Sequence, residues 1–363
     1  MQAVVVRPPA GGASLEEVAE PSVGAGEVKV AVLELGVCGT DRDIVSGKYG
    51  TPPVGETSLI LGHENLGRVT EVGEGVEGWA PGDLVVATVR RGCGACRFCR
   101  AGRSDFCETG RFTERGIRGA HGYLAEYYVE RPDYLVKVPK RLRPFAVLLE
   151  PMSVVEKAVD EGRRVLDRKE PTPGERPTSA PRALVAGTGA IGMLAAFLLR
   201  SEGFEVCAID RHGDDTLAGG LLPAIGARHV NVANGLSALG GATFDLAVEA
   251  SGSAALDFGL MSTLSANGVL VLTGIPAADA PSEAVQGGAL WRTVVLENQA
   301  IVGSVNANRR HFASGIRHMT RFRREFGETI ERLITSRRPM AEFRDVLTER
   351  TAGSMKTVLV VRP

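Results

Sequence analysis

The order of hydrophobic and polar positions divides the chain into two parts with different patterns. Up to about residue 150, short runs rich in β-branched residues are separated by glycine-rich turns, which is typical of mostly β structure. These runs include Val28–Leu33, Gly67–Val72 and Asp83–Val89. Residues Val154–Leu166 then place their apolar side chains on one helical face and predict a helix. The proline-rich segment Glu170–Pro181 predicts a connector.

From Arg182 onwards, strand-like runs alternate with helix-like ones. Strands that alternate with helices indicate a parallel, doubly wound sheet. A final amphipathic helix is predicted for His311–Thr335 and a last strand for Lys356–Val361. The predicted strands of this second part are Arg182–Ala186, Phe204–Asp210, His229–Val232, Phe244–Glu249, Gly268–Leu272 and Ala300–Val305.

Composition agrees with a soluble α/β protein. The 363 residues suggest two domains, and 44% hydrophobic with 23% charged residues excludes a mainly disordered chain or a coiled-coil rod. Forty-two basic against 43 acidic residues give a net charge of −1, so no basic field would recruit nucleic acid or an anionic membrane. The 45 glycines indicate many tight turns and close approaches of the backbone to a ligand.

No segment is typical of targeting or membrane insertion. Met1–Arg7 is too short for the apolar core of a signal peptide, and no apolar run approaches the ~18 residues of a membrane span. We therefore expect a cytoplasmic protein whose thiols stay reduced.

Four of the six cysteines form a cluster, Cys93-x2-Cys96-x2-Cys99-x7-Cys107. Four thiolates fill the tetrahedral sphere of zinc and leave no position for substrate, so the spacing predicts a structural zinc. An iron–sulfur cluster and four free cysteines are the alternatives. Nearby basic residues would offset the charge of a zinc tetrathiolate, namely Arg90, Arg91, Arg97, Arg100 and Arg103.

A second metal site is predicted from scattered residues. Cys38 follows an apolar run, His63 and Glu64 open another segment, and Glu150 stands at the end of the first domain. A thiolate, an imidazole and a carboxylate with one open position are the ligand set of a catalytic zinc. The alternatives are a small buried cysteine and a surface His–Glu pair.

A glycine-rich loop, Gly187-Thr188-Gly189-Ala190-Ile191-Gly192, follows the strand Arg182–Ala186 and opens an apolar helical stretch. Together with Asp210 at the end of the next strand, it predicts a dinucleotide site in which the helix N-terminus stabilises the pyrophosphate. Asp210 favours NAD, whereas Arg211 beside it is suited to pair with the 2′-phosphate of NADP.

These features resemble the zinc-dependent medium-chain dehydrogenases. The resemblance rests on Gly62-His63-Glu64-x2-Gly67-x-Val69, Gly73, Gly75, Val76 and Gly82-Asp83-x-Val85, together with the cysteine cluster and the glycine loop. It covers essentially the whole chain. It implies a GroES-like catalytic domain at 1–153, a Rossmann domain at 154–306 and a C-terminal segment at 307–363 that returns to the catalytic domain.

Within that family the chain is most similar to the glucose 1-dehydrogenase branch. The segments that carry this likeness are Val89–Cys93 with Asp105–Gly110, Leu149–Pro151 with Glu156–Lys157, and Gly303–Asn306 with His311–Phe312. The branch implies zinc-dependent oxidation of an aldose, D-glucose in the first place, to its lactone, with hydride transfer to NAD or NADP. It also implies two zinc ions per chain. The apolar run Val294–Val305 at the end of the sheet favours sheet-edge pairing of subunits, so we expect a homodimer or homotetramer.

The resemblance also assigns residues to roles. The catalytic group is Thr40, Glu64 and Glu150, and the zinc ligands are Cys38, His63, Glu64 and Glu150 in the catalytic site and the four clustered cysteines in the structural one. The sugar-binding group is Thr40, Glu114, Glu150 and Asn306. The cofactor-binding group is Gly187, Gly189, Ala190, Ile191, Gly192, Asp210, Arg211, Thr273, Gly274, Ser304 and Asn306.

Two other functions stay open at this point. One is a zinc dehydrogenase for a polyol or an amino-alcohol. The other is a non-catalytic nucleotide-binding or redox-sensing protein, which the complete set of Cys38, His63 and Glu150 disfavours.

Overall fold

The computed structural model describes residues 1–169, 179–277, 280–281, 283–349 and 353–362. Most of the predicted proline-rich connector lies outside these ranges. The strands are β1 Gln2–Arg7, β2 Ala10–Glu17, β3 Val28–Val37, β4 Leu59–Ile60, β5 Glu64–Val72, β6 Leu84–Ala87, β7 Arg90–Arg91, β8 Thr113–Arg115, β9 Gly119–Ala120, β10 Tyr127–Glu130, β11 Leu135–Lys137, β12 Arg182–Ala186, β13 Glu205–Asp210, β14 Arg228–Asn231, β15 Phe244–Glu249, β16 Leu264–Leu272, β17 Ala300–Gly303, β18 Ile334–Pro339 and β19 Lys356–Val360.

The described ranges also contain α-helices and several short 3-10 turns. The α-helices are α1 Gly39–Val45, α2 Arg97–Arg100, α3 Leu149–Leu166, α4 Ala190–Ser201, α5 Leu217–Ala224, α6 Ala254–Met261, α7 Gly287–Leu296, α8 Arg309–Phe326 and α9 Phe343–Thr348. No helix within the described ranges is both long enough and apolar enough to cross a membrane.

The chain folds as two compact units. Unit 1 contains Met1–Ser153, Asn306–Met319 and Glu331–Pro363, and unit 2 contains Val154–Val305 and Thr320–Ile330. The C-terminal part of the chain therefore contributes to both units.

Unit 1 is built around β3, which is buried along its whole length. It pairs antiparallel with β5, β10 and β19, in a sheet whose main order is β11-β6-β5-β3-β19-β18. Six of the ten residues of β3 are valine or leucine, as expected for a strand covered on both faces. The small sheet β7-β8-β9 lies beside the cysteine cluster in sequence and carries Arg90 and Glu114 as register partners.

Unit 2 contains a parallel sheet of order β14-β13-β12-β15-β16-β17. This is the order of a doubly wound sheet, in which successive strands are added outwards on one side from β12 to β14 and on the other side from β15 to β17. In such sheets, ligands bind outside the carboxyl ends of the strands at the point between β12 and β15 where the order reverses. The predicted α/β fold is confirmed.

Two predicted helix boundaries are wrong. The first helix starts at Leu149 rather than Val154, because a proline such as Pro151 is tolerated in a first turn, where its missing N–H needs no partner. The last helix ends at Phe326 rather than Thr335. Gly327 there has φ of 61°, a left-handed conformation that commonly ends helices at glycine, and the chain continues as a 3-10 turn and then β18.

Candidate active site

The four clustered cysteines converge in unit 1. Their sulfurs all lie within 4.8 Å of one another, and the backbone N–H groups of Cys96 and Cys99 donate to the sulfurs of Cys93 and Cys96 at 3.4 Å. A hydrogen bond with Thr109 lowers the pKa of Cys93 to about 5, whereas burial raises the pKa of Cys99 to about 12. Four sulfurs this close ionise together only beside a cation, so the cluster fits a closed zinc site.

The arginines near this cluster have other partners than expected. The guanidinium groups of Arg90 and Arg91 pair with the carboxylates of Glu114 and Glu130. Arg97 pairs with Glu108, with 3.2 Å between Nε and Oε2. These three arginines are therefore paired with carboxylates, and the prediction that their charges would offset a zinc tetrathiolate stays a prediction.

Cys38 is held at the N-terminus of α1. Its sulfur accepts the N–H of Thr40 at 3.2 Å, and its own N–H donates to the carboxylate of Asp41 at 2.9 Å. This reciprocal capping arrangement satisfies N–H groups that a helix start otherwise leaves unpaired. It fixes the direction of the Cys38 side chain, and the adjacent Thr40 is half-buried.

His63 stands between Cys38 and Asp41. Its Nε2 lies 3.1 Å from the Cys38 sulfur, and its Nδ1 lies 3.3 Å from Oδ1 of the buried Asp41. Burial disfavours a charged ring, but the Cys38 and Asp41 groups outweigh it and raise the pKa of His63 well above its ordinary value. A carboxylate on Nδ1 is the usual support for a histidine that presents Nε2 to a metal.

Glu64 is the third residue whose ligand atom lies in this group, within 4.8 Å of those of Cys38 and His63. Both of its carboxylate oxygens also accept from Nζ of Lys356 at 2.7 Å, and both side chains are buried. Gly36 faces this carboxylate, and a Cβ at position 36 would overlap it. Burial alone would lower the pKa of Lys356, but Glu64 reverses that effect and the pKa is raised.

Glu150 lies in the first turn of α3 and is buried, but it is not in the group of atoms within 4.8 Å. Burial raises the pKa of its carboxyl to about 7, His63 acts to lower it, and Glu64 acts to raise it further. These interactions place Glu150 in the electrostatic surroundings of His63 and Glu64. Its role as a direct ligand stays a prediction.

Of the predicted sugar-binding residues, the structure brings Glu114 and Asn306 into contact. The Asn306 Nδ2 donates to Glu114 Oε1 at 2.5 Å. Asn306 has φ of 61°, a left-handed conformation that is uncommon for a residue with a side chain and often marks a functional position. Glu114 is buried on β8 and also receives two hydrogen bonds from Arg90.

The predicted cofactor loop lies in unit 2 between β12 and α4. Gly187 has φ of 91°, and a Cβ on Gly192 would overlap the Gly187 carbonyl oxygen. Both positions therefore require glycine. Helix α4 begins at Ala190 with Gly189 as its N-cap, so its first N–H groups are available to a pyrophosphate.

Asp210 ends β13 beside this loop. Its Oδ2 accepts both the N–H and the hydroxyl of Thr188, at 3.1 and 2.6 Å, and its Oδ1 accepts the N–H of His212 at 3.0 Å. Burial acts to raise the pKa of Asp210, but these hydrogen bonds outweigh it and the pKa is lowered. The carboxylate is therefore ionised and fixed in direction, while Arg211 is exposed.

The other predicted cofactor residues come directly after the ends of strands β16 and β17. The hydroxyl of Thr273 donates to the Glu249 carbonyl at 2.6 Å, and the Gly274 N–H donates to the Glu249 carboxylate at 3.2 Å. The same buried carboxylate also accepts the N–H groups of Ser251 and Gly252. The Ser304 N–H donates to the Leu272 carbonyl at 2.9 Å. All of these residues lie at the carboxyl edge of the parallel sheet.

Four residues of these sites were not identified from the sequence. They are Asp41, Arg90 as a partner of Glu114, Glu249 and Lys356. The sequence could have indicated Asp41, since it stands three residues after Cys38 at a helix start, where an acidic residue is a capping group. The sequence contains no indication of Lys356, because it is 292 residues from Glu64 in the chain.

Two family models match the chain. Residues 24–140 match the alcohol dehydrogenase GroES-like domain, and residues 143–361 match the glucose dehydrogenase C-terminus. Together with the four-cysteine group, the Cys38–His63 group and the doubly wound sheet, these matches define a zinc-dependent medium-chain dehydrogenase. The chain belongs to the glucose dehydrogenase family within that class.

Similar proteins agree with this family. A glucose 1-dehydrogenase of Methanocella arvoryzae is 41% identical over 88% of each chain, and one of Metallosphaera sedula is 38% identical over 99% of this chain and 98% of its own. The solved structure of Haloferax mediterranei glucose dehydrogenase in complex with NADP, zinc and gluconolactone has a TM-score of 0.88 at 28% identity and covers 100% of both chains.

Proposed function

We propose that this protein oxidises an aldose, with D-glucose as the leading substrate, at the anomeric carbon. The observation that carries this proposal is the hydrogen-bonded pair of the buried Glu114 and the half-buried Asn306 in the same unit as the Cys38–His63 group. A sugar carries many hydroxyl groups, so its site needs fixed polar partners, whereas a site for a simple alcohol needs mainly apolar walls. Family membership supports the same activity.

The reaction balances as a two-electron oxidation. The C1 hydrogen of the sugar leaves with its electron pair as hydride and bonds to C4 of the oxidised nicotinamide, and the C1 hydroxyl loses its proton to solvent. The C1–O bond becomes a carbonyl, so the products are the aldonolactone, the reduced cofactor and a proton. The nicotinamide supplies the redox chemistry, and the protein binds the sugar and the cofactor and orients them towards each other.

Cys38 and His63, with Glu64 or Glu150 or water, would hold a zinc ion, which as a Lewis acid lowers the pKa of a hydroxyl bound to it. Asp41 orients the His63 ring and keeps its Nε2 on the side of Cys38. Thr40 is half-buried and donates its N–H to the Cys38 sulfur, and its hydroxyl would pass the substrate proton towards solvent. Glu114 and Asn306 would hold sugar hydroxyls.

A substrate panel tests this function. Wild-type protein, fully loaded with zinc, is assayed with glucose, galactose, xylose, a polyol and an amino-alcohol, each with NAD and NADP, by the absorbance of the reduced nicotinamide. We expect the highest kcat/KM with an aldose. A preference for the polyol or the amino-alcohol would replace the proposed substrate class, and no turnover with any of them would favour a non-catalytic nucleotide-binding protein.

We further propose that NAD is preferred over NADP because Asp210 is ionised where the 2′-phosphate of NADP would lie. Asp210→Ala is expected to shift the ratio of kcat/KM values towards NADP by about tenfold or more, since ~1.4 kcal/mol of removed repulsion is already tenfold. Arg211→Ala is expected to shift it the other way. Steady-state kinetics with both cofactors at saturating sugar measures the ratio.

Thr188→Val is the matched control for this prediction. It removes one hydrogen bond to Asp210 but leaves the charge in place. It is expected to raise KM for both cofactors alike and to leave their ratio unchanged. A wild-type enzyme that prefers NADP tenfold would contradict the proposed role of Asp210.

We also propose that the protein is a cytoplasmic homo-oligomer. Helix α7 exposes Trp291, Val295 and Leu296 by 61%, 73% and 61%, and the adjacent β17 is an edge of the parallel sheet as far as the structure describes it. An exposed apolar helix beside an open strand edge favours pairing with a second copy. Light scattering during size-exclusion chromatography is expected to give the mass of a dimer or tetramer, and a monomer mass would contradict this.

A further inference from the structure

Arg90 connects the proposed sugar site to the cysteine lobe. From β7, its Nε and Nη2 donate to Oε1 of Glu114 at 3.1 and 2.9 Å, and its Nη1 donates to the backbone carbonyl of Asp105 at 3.1 Å. The guanidinium also lies 3.9 Å from the centre of the Phe112 ring. The planar fork of an arginine suits such a geometry, because it can bond two partners in fixed directions at once.

These contacts determine which oxygen of Glu114 remains available. Oε1 receives three donated hydrogen bonds, two from Arg90 and one from Asn306. Among the described residues, Oε2 accepts none. Glu114 is only 6% exposed, so its carboxylate has few alternative directions. Oε2 is the oxygen left to accept a hydroxyl of the substrate.

The segment that carries Asn306 is tied to the same lobe. The Nδ2 of the buried Asn308 donates to Oδ1 of Asp105 at 2.8 Å. Asp105 stands two residues before Cys107, one of the four clustered cysteines. Asp105 is thus bonded through its carbonyl to Arg90 and through its carboxylate to Asn308, and it links both sides of the Glu114–Asn306 pair to the lobe.

We propose that Arg90 is a positioning residue for sugar specificity, which holds Glu114 with Oε2 directed at one substrate hydroxyl. The inference rests on the proposed aldose oxidation. Arg90 does not touch the reacting atoms, so its removal is expected to change sugar binding rather than the hydride-transfer step. It also gives the cysteine lobe a second role, since the lobe provides the Asp105 contacts that keep Arg90 and Asn308 in place.

The experiment compares Arg90→Lys with Arg91→Lys. Both changes keep the positive charge and lose the fork, and both residues are paired with a buried glutamate, but Arg91 pairs with Glu130 instead of Glu114. Arg90→Lys is expected to raise KM for glucose about tenfold or more, with kcat within threefold and KM for the cofactor unchanged. Arg91→Lys is expected to leave KM for glucose unchanged, although both variants lower the melting temperature.

A double-mutant cycle shows whether Arg90 acts through Glu114. In a Glu114→Gln background, Arg90→Lys is expected to change KM for glucose less than twofold. Monodeoxyglucoses give a second measurement, because a site that bonds a hydroxyl strongly rejects the analogue that lacks it. We expect wild type to reject one of them most strongly and Arg90→Lys to reduce that discrimination at least fivefold.

An Arg90→Lys variant with wild-type KM and wild-type discrimination would overturn the inference while leaving aldose oxidation intact. Equal KM changes in Arg90→Lys and Arg91→Lys would also overturn it, because the effect would then come from lost stability. If wild type turns over no aldose, the proposed function fails first and the inference fails with it. These outcomes are distinguishable in one series of assays.

Discussion

A Cys38→Ser variant is expected to lose roughly a thousandfold in kcat/KM, since the Lewis-acid contribution of a catalytic metal is worth several kcal/mol and each ~1.4 kcal/mol is tenfold. Cys38 provides the thiolate that lies 3.1 Å from Nε2 of His63, and serine is a much poorer ligand for zinc at neutral pH. We expect two zinc ions per chain in the wild type and one in the variant. Metal analysis by mass spectrometry, together with initial rates, measures both effects.

Cys207→Ala is the matched control for Cys38→Ser. Cys207 is a buried cysteine of β13 in unit 2, and it belongs to neither cysteine site. Its replacement is expected to retain both zinc ions and wild-type kcat/KM, with a small loss of stability. A wild-type protein that binds only one zinc ion when fully metallated, or a Cys38→Ser protein that keeps its activity, would contradict the two-site account.

Chelation is expected to remove the two metals in separate stages. A zinc ion held at Cys38 would keep one position open and exchange its ligands there, so activity should fall at low chelator concentration. A zinc ion held by the four cysteines would have a closed ligand sphere and should be lost later. Helix α2 in this lobe buries none of its residues, so a metal there would supply stability that packing does not.

Loss of the second metal should lower the melting temperature. Removal of a structural metal belongs to the changes that cost ~4 kcal/mol or more, which corresponds to a fall in melting temperature of at least about 8–16 °C for a large domain. Cys96→Ser is expected to reproduce this stage, with retained turnover but a raised KM for glucose because Asp105 is released. Activity and melting temperature that fall together at every chelator concentration would contradict the separation of the two sites.

The parallel sheet of unit 2 was predictable from the sequence because its central strands β12, β13 and β15 are short, mostly buried runs. Arg182–Ala186 and Phe244–Glu249 have the predicted bounds, and the glycine loop, the α4 start and Asp210 follow from local signals. Such features depend on residues that are neighbours in the sequence, so hydrophobic runs separated by turn residues are enough to predict them.

Contacts between distant segments were not predictable. The buried pair of Glu64 and Lys356 forms because β3 pairs with both β5 and β19, and nothing near Lys356 in the sequence indicates a site. The partner of Arg90 follows from the register of β7 on β8, where Arg90 lies opposite Glu114. From the sequence, Arg90 is only a basic residue close to the cysteine cluster, which suggested the thiolates rather than Glu114 as its partner.

Deuterium transfer from labelled glucose tests the central claim most directly. Wild-type enzyme is given glucose labelled either at C1 or at C6, and the reduced nicotinamide is examined by NMR. We predict that deuterium from C1 appears at C4 of the nicotinamide, that none arrives from C6, and that the sugar product is the lactone. Turnover of C1-labelled glucose without deuterium in the reduced cofactor would contradict oxidation at the anomeric carbon.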